Sequence, residues 1–161
     1  MLTIYPASAA DYPTIQQIAH TTWPTTFGEI LSPVQIEYML DWMYSLPALQ
    51  EQVEKKGHRF LLAKEEKEGL GFLSYQLFYQ GNPVTKIHKI YVLPTTQGKG
   101  VGKHLLELTS EIALEAKNTT LTLNVNRYNK AIEFYKKIGF EIIGQENIDV
   151  GQGFLMEDYI L

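Results

Sequence analysis

The stretch YVLPTTQGKGVGKHLLEL, residues 91–108, joins a strand-like run to a leucine-rich run through three alternating glycines. Pro94 cannot continue a hydrogen-bonded ladder, so a strand ends there. Val101, Leu105, Leu108, Ile112 and Ala116 then recur at spacings of four, three, four and four, the stripe of an amphipathic helix running to about Lys117. Between strand and helix lie Gln97, Gly98, Lys99, Gly100, Val101, Gly102 and Lys103. A helix start carries N–H groups without intrahelical partners and a partial positive charge, which suits it to a phosphate. Glycines let the backbone turn tightly and let an anion approach the amides. The segment is therefore suited to cradle a pyrophosphate.

Two common phosphate loops do not fit. A P-loop would need glycine at 97 and a hydroxyl at 104, where Gln97 and His104 stand. A dinucleotide fingerprint starting at Gly98 would need glycine at 103, where Lys103 stands, and would open the first βαβ unit rather than lie past mid-chain. The surviving pattern is Arg/Gln-x-x-Gly-x-Gly/Ala, met by Gln97, Gly100 and Gly102.

Outward from this loop, the chain reads as a single layered α+β unit. Residues 2–6 form a short strand, and a helix follows from Ala9 or Asp11 to Thr22, with Pro24 stopping it. Ser32, Pro33 and Gln35 mark another helix start, with Ile36, Met39, Leu40 and Met43 on its apolar face. A short helix spans about Pro47 to Lys55 and ends at Gly57. Three strand-like runs, 58–65, 69–80 and 84–93, are separated by the turn signals EEKEG and GNP. Beyond the glycine loop and its helix, TLTLNV alternates as a strand. Asn129 precedes a helix that ends at Gly139. Phe140–Gly144 and Phe154–Leu161 form a final hairpin around ENIDVGQG.

The chain has 161 residues, 45% hydrophobic and 20% charged, which is one domain's worth, 1–161. No apolar run approaches the ~18 residues of a membrane span, and the N-terminus lacks the basic and apolar blocks of a secretory signal. Cysteine is absent, which excludes disulfides, thiolate catalysis and cysteine-based zinc sites, and accords with a cytoplasmic protein; no metal site is expected. A net charge of −4 argues against nucleic-acid binding and is compatible with a cationic substrate.

KIYVLPTTQGKGVGKHLL resembles the acetyl-CoA motif of the GNAT N-acetyltransferase superfamily, and NKAIEFYKKIGF (129–140) resembles that family's Ala-x-x-x-Tyr-x-x-x-Gly-Phe segment. The ending IDVGQGFLMEDYIL is similar to members grouped with polyamine acetyltransferases. The resemblance implies a GNAT-like α+β domain, a central mixed and mostly antiparallel sheet flanked by helices on both faces. It implies an enzyme that transfers an acetyl group from acetyl-CoA to an amine by direct attack in a ternary complex, through a tetrahedral transition state. The polyamine-like ending points to a small-molecule primary amine. A protein N-terminus or lysine, an amino sugar, and a non-catalytic acyl-CoA-binding module are the alternatives. Family members are often dimers, so a homodimer is one partner the resemblance implies.

The resemblance also assigns roles. The amides of 97–103 hold the pyrophosphate, and Lys99 and Lys103 add charge or are solvated surface lysines. Main-chain groups of Ile90, Tyr91 and Val92 pair with the pantetheine arm as an added strand, and one of their N–H groups polarises the thioester carbonyl. Tyr135 aligns with the tyrosine that protonates the leaving thiolate; its spacing with Ala131 and Ile138 also suits a core aromatic. Asn126 and Asn129 are the two asparagines near the family's pantetheine contact. A primary amine must lose a proton before attack. The family's frequent glutamate falls at Lys86 here; His88, two residues on, is similar to a histidine of arylalkylamine-type members and is either the base or a strand histidine on the solvent face, with Glu29, Glu157 and Asp158 as lesser candidates. Trp23, Phe27, Tyr38, Trp42 and Tyr44 are candidate walls of an amine channel, with Glu29, Glu37 or Asp41 attracting the cation.

Overall fold

The computed structural model describes residues 2–96 and 99–161, the side chain of residue 155 excepted. The expectations placed on Gln97 and Gly98 lie outside the described residues. In chain order the elements are β1 (Leu2–Pro6), α1 (Tyr12–Phe27), α2 (Pro33–Tyr44), α3 (Leu46–Glu54), β2 (Arg59–Glu65), β3 (Glu68–Gln76) and β4 (Val84–Val92). They are followed by α4 (Val101–Glu115), β5 (Thr120–Asn126), α5 (Ala131–Lys137), β6 (Gly144–Gly151) and β7 (Phe154–Ile160). Among the described residues no helix is long and apolar enough to cross a membrane.

The strands make one mixed sheet in the order β1-β2-β3-β4-β5-β7-β6. Neighbours run antiparallel except β4 and β5, which run parallel. The hydrophobic run Phe60-Leu61-Leu62-Ala63 shows why helices cover both faces. Phe60 and Leu62 pack on one side with Ile15, Trp23, Met39 and Leu49 of α1–α3, while Leu61 and Ala63 pack on the other with Leu105 of α4 and Tyr135 of α5. A central strand buried on both faces loses the polar alternation of a half-exposed one.

The helix starts are locally encoded. The Ser32 hydroxyl accepts from the Gln35 N–H, and Pro33 occupies a position whose N–H would have had no partner. The Ser45 hydroxyl does the same for Ala48 at α3.

Three local expectations are corrected. Pro24 does not end α1, which continues to Phe27. The lost hydrogen bond belongs to the carbonyl of His20, an exposed residue, rather than to a buried group. The extra turn buries Phe27 against Trp23, ring centroids 4.4 Å apart. Burying an aromatic contributes roughly 1.5–3 kcal/mol, enough to offset most of the ~3 kcal/mol that an interior proline costs.

The last hairpin is displaced from its expected place: residues 140–143 are in no strand, ENIDVG belongs to β6, and the turn is only Gln152-Gly153. Both turn residues have positive φ, 57° and 78°, as a two-residue hairpin turn of the strand-matching hand requires. β6 is a largely exposed edge strand, which is why its sequence is polar. In α4 the buried line is Val101, Leu105, Thr109 and Ala113, with Leu108 and Ile112 only partly buried beside it.

One feature of the sheet positions the site. β4 and β5 pair only from Val84–Ile87 to Thr120–Leu123, and from Asn124 onward β5 pairs with β7 instead. Beyond Ile87, β4 keeps its ladder on the β3 side alone, and the two parallel strands part.

Candidate active site in the fork of the sheet

The parting of β4 and β5 opens a cleft of about 830 Å³ that reaches to α1, α2, α5 and the β6–β7 hairpin. His88, Ile90, Tyr91, Val92, Asn126, Asn129 and Tyr135 all line it. The fork brings together side chains far apart in sequence because it is the seam between two parts of the sheet.

Lys99, Gly100, Val101, Gly102 and Lys103 stand outside this lining, at the start of α4. Gly100 has φ +71°, a left-handed conformation that disfavours any side chain, although a Cβ there would meet only the His104 ring, at 3.6 Å. A Cβ on Gly102 would lie 3.8 Å from Val92 Cγ2, so the glycine leaves open space beside a cleft residue. Val101 is buried and anchors the first turn. Lys99 and Lys103 are exposed and lie 3.8 Å from Glu65 and 4.0 Å from Glu107. Such surface pairs contribute little and leave both ammonium groups available to a stronger anion.

Tyr135 is buried on α5 between Phe134 and Phe140, ring centroids 5.5 and 5.8 Å away, and still reaches the cleft. It is therefore both core aromatic and cleft residue. Burial pushes its phenol well above the ordinary value, so it carries its proton throughout the neutral range. The two asparagines shape the turn from β5 into α5. Asn126 Oδ1 accepts from the Tyr128 N–H at 3.0 Å, and Asn129 Oδ1 from the Ala131 N–H at 2.9 Å, both turn contacts two residues on, while the cap position of α5 falls on Lys130 rather than on the expected Asn129.

His88 sits where the β3–β4 register slips, an extra residue between Ile87 and Lys89, which pair with the adjacent residues Tyr75 and Ser74. Its Nε2 lies 3.0 Å from Gln76 Oε1, and its ring stacks on His58 with centroids 3.8 Å apart. Burial, and then repulsion from His58 once protonated and from Lys89, Lys86 and Lys56, push the imidazole down to about 2. An imidazole that resists a proton this strongly is a poor general base. Lys89, the next residue, is buried, its Nζ donating to Gln52 Oε1 at 2.8 Å and lying over the Tyr44 and Phe60 rings. Burial and Lys56 push that ammonium down to about 7.

At the apex of the fork the structure joins Asp158, a lesser base candidate from the sequence, and Lys86 to Asn124 and Glu146, which the sequence did not single out. Lys86, on β4, donates from Nζ to Asn124 Oδ1 at 2.6 Å. Asn124 in turn donates to Glu146 Oε2 at 3.3 Å and Asp158 Oδ2 at 3.5 Å. All four line the cleft. Asp158 is buried, and its Oδ1 has no hydrogen-bond partner among the described residues. Burial raises its carboxyl above the usual carboxylate range, against the lowering effect of Asn124. A buried carboxylate with one free oxygen and a raised pKa has the character of a proton acceptor. The signal that pointed here was Thr122, Asn124 and Asn126, polar at every second position of a strand otherwise fit for the core.

Of the expected channel walls, Trp23, Phe27, Trp42 and Glu29 line the cleft. Tyr44 is fully buried and accepts from Trp23 Nε1, and Tyr38 donates to the Val150 carbonyl at 2.6 Å, fastening α2 to the hairpin. Glu37 and Asp41 line a separate cavity between α1 and α2.

Comparison with known proteins accords with this geometry. Residues 13–140 match the acetyltransferase (GNAT) family. Over 61 residues, 37% of this chain, the sequence is 38% identical to the peptidyl-lysine N-acetyltransferase YjaB of Salmonella typhimurium. That match spans about two fifths of the relative's length, 39%. Over 155 residues it is 26% identical to the spermidine N(1)-acetyltransferase of Thermoplasma acidophilum, covering 93% of this chain and 92% of the relative. The PaiA N-acetyltransferase of Thermoplasma acidophilum, solved in complex with coenzyme A, has the same fold, with a TM-score of 0.82 and 23% identity over 99% of this chain and 97% of that one. With the seven-stranded mixed sheet, the forked central strands and a family match over most of its length, the chain belongs to the GNAT family of acetyltransferases, enzymes that take their acetyl group from acetyl-CoA.

Proposed function

We propose that this protein transfers the acetyl group of acetyl-CoA to a primary amine of a small, polyamine-like molecule. The observation that carries this is the fork itself. A buried phenol, Tyr135, and a buried carboxylate with a free oxygen, Asp158, line one cleft whose floor is the unpaired side of β4.

The residues present fit the coenzyme. Ile90, Tyr91 and Val92 lack a β5 partner and offer main-chain groups to an extended arm, as an added strand would use them. Gly100 and Gly102 keep the start of the 15-residue helix α4 clear for a diphosphate. When bound, acetyl-CoA supplies the acetyl group as an activated thioester.

The chain's own groups do the rest. Asp158 takes a proton from the acceptor's ammonium group, a role that passes to it from His88. Tyr135 holds the proton that a leaving sulfur needs, and burial keeps it there at neutral pH. A main-chain N–H of the 90–92 segment polarises the carbonyl. Glu29, Glu146 and Asp158 give the acceptor end an acidic wall, and Trp23, Phe27 and Trp42 give it an apolar one. A flexible cation with methylene spacers matches that combination, and a relative similar over nearly its whole length is a spermidine N(1)-acetyltransferase.

The test is thiol release from acetyl-CoA over a panel of spermidine, spermine, free lysine, lysine peptides, N-terminal peptides and amino sugars. The proposal expects polyamines to give the highest kcat/KM. A clear preference for peptides or amino sugars would overturn the acceptor assignment.

A further inference from the structure

Lys86 occupies the acceptor end of the cleft with a primary amine of its own. Its Nζ is held at 2.6 Å by Asn124 Oδ1, at the first β5 residue past the parallel ladder, and Asn124 also contacts Glu146 and Asp158. The groups facing it come from every neighbouring element: Tyr79 after β3, whose ring lies 5.2 Å below the ammonium, His88 on β4, Asn124 on β5, Glu146 on β6 and Asp158 on β7. This is the environment the proposed function assigns to the amine of a cationic substrate. The other two lysines that line the cleft differ. Lys89 is buried and tied to Gln52, and Lys130 is exposed at the turn into α5.

We propose that Lys86 is an internal acetyl acceptor, so that without a substrate amine the enzyme acetylates itself at this residue. This rests on acetyl-CoA binding in the fork as proposed above. The Lys86 ammonium gives one proton to the Asp158 carboxylate. The freed Nζ lone pair forms the N–C bond to the acetyl carbonyl carbon while the C–S bond breaks, the departing sulfur takes the Tyr135 proton, and the second Nζ proton, acidified as the N–C bond forms, passes back to the Tyr135 phenolate. The products are an acetyl-lysine and the CoA thiol, with one proton released to solvent as Asp158 and Tyr135 reset. Burial already lowers the Lys86 ammonium below the ordinary lysine value, in opposition to Glu146 and Asp158. Acetylation removes the Lys86 charge held at the Asn124 bridge, leaving Glu146 and Asp158 to a substrate cation. Substrate amine and Lys86 therefore compete for the same acetyl group.

The test incubates the full chain with acetyl-CoA and no amine, then maps acetylation by peptide mass spectrometry. Positioning should make Lys86 react at least ~10-fold faster than any exposed lysine, Tyr135→Phe should slow that reaction, and excess spermidine should suppress it. A second readout needs no acetyl transfer by the enzyme. Trace labelling with acetic anhydride measures the Lys86 amine directly, and unacetylated CoA should protect Lys86 but not Lys137. A thermal shift with CoA establishes binding separately. Stabilisation by CoA with Lys86 neither acetylated nor protected overturns this inference and leaves the proposed function standing. Absence of any CoA stabilisation overturns both. Lys86→Arg that still shows the CoA shift yet acquires acetyl groups at the wild-type rate also overturns it.

Discussion

His58 and His88 lie face to face with ring centroids 3.8 Å apart and planes 14° from parallel, beside the buried ammonium of Lys89. Both imidazoles are held neutral, His58 pushed down to about 4 by burial first and then by Lys89 and Lys56. The unfolded chain binds protons at these histidines from about pH 6.5 downward, and the folded chain does not. Stability therefore falls as pH drops from about 6.5 toward 4. Urea midpoints over that range should decline in wild type and decline less steeply in His58→Gln. Equal slopes would assign the acid sensitivity to other groups. Lys89 acts in the same direction at higher pH, adding stability as pH rises from about 7 toward 10.5.

Tyr135→Phe removes a hydroxyl that makes no hydrogen bond to a described residue while keeping the ring between Phe134 and Phe140. The fold and CoA affinity should be unchanged. Turnover should fall about 10²- to 10⁴-fold, the usual contribution of a positioned acid. Steady-state kinetics beside a CoA titration separates the two, and wild-type kcat would retire the residue as the acid.

Asp158→Asn should separate activity from stability. As a base, Asp158 is expected to contribute about 10²- to 10⁴-fold to kcat. As a buried carboxylate with a raised pKa, it costs stability wherever it is ionised in the fold. The folded carboxyl binds its proton more tightly than the unfolded one, so the cost is present at neutral pH and vanishes below the ordinary carboxylate range. The variant should be less active yet have a higher Tm at pH 7, with the Tm difference shrinking on acidification. A lower Tm at pH 7 would show that the carboxylate is stabilising instead.

At Gly100 the obstacle is backbone conformation rather than space. Gly100→Ala meets the His104 ring only at van der Waals distance but carries a left-handed φ, costing about 1–2 kcal/mol of stability. Gly100→Glu adds a negative charge where the diphosphate is expected and should abolish CoA binding. Gly102→Ala has room and an ordinary φ, so it should bind CoA nearly as wild type does. Calorimetric titration of the three variants checks the order, and full affinity in Gly100→Glu would place the diphosphate elsewhere.

Most elements were legible because their signals are local. Ser32-Pro33 starts α2, and the apolar periodicity of α4 is set by its own residues, although neighbouring packing shifted the buried line to Thr109 and Ala113. Pro24 misled because the gain from burying Phe27 against Trp23 is tertiary and no local rule contains it. The polarity of β6 concealed a strand for the same reason, since an edge position is a property of the sheet. The site divided similarly. Ile90–Val92 and Tyr135 belong to short motifs and were readable, whereas Lys86, Asn124, Glu146 and Asp158 come from four strands. Only the order β4-β5-β7-β6 brings them together.

The fork also has a mechanical consequence. The C-terminal hairpin reaches the rest of the sheet through β5 alone, and β5 is riveted to β4 at one end only, by four register pairs. Prising the free ends apart breaks no ladder bond between β4 and β5. A bulky guest that enters the fork therefore displaces no main-chain ladder between these two strands, and meets only side-chain ties such as Lys86 to Asn124.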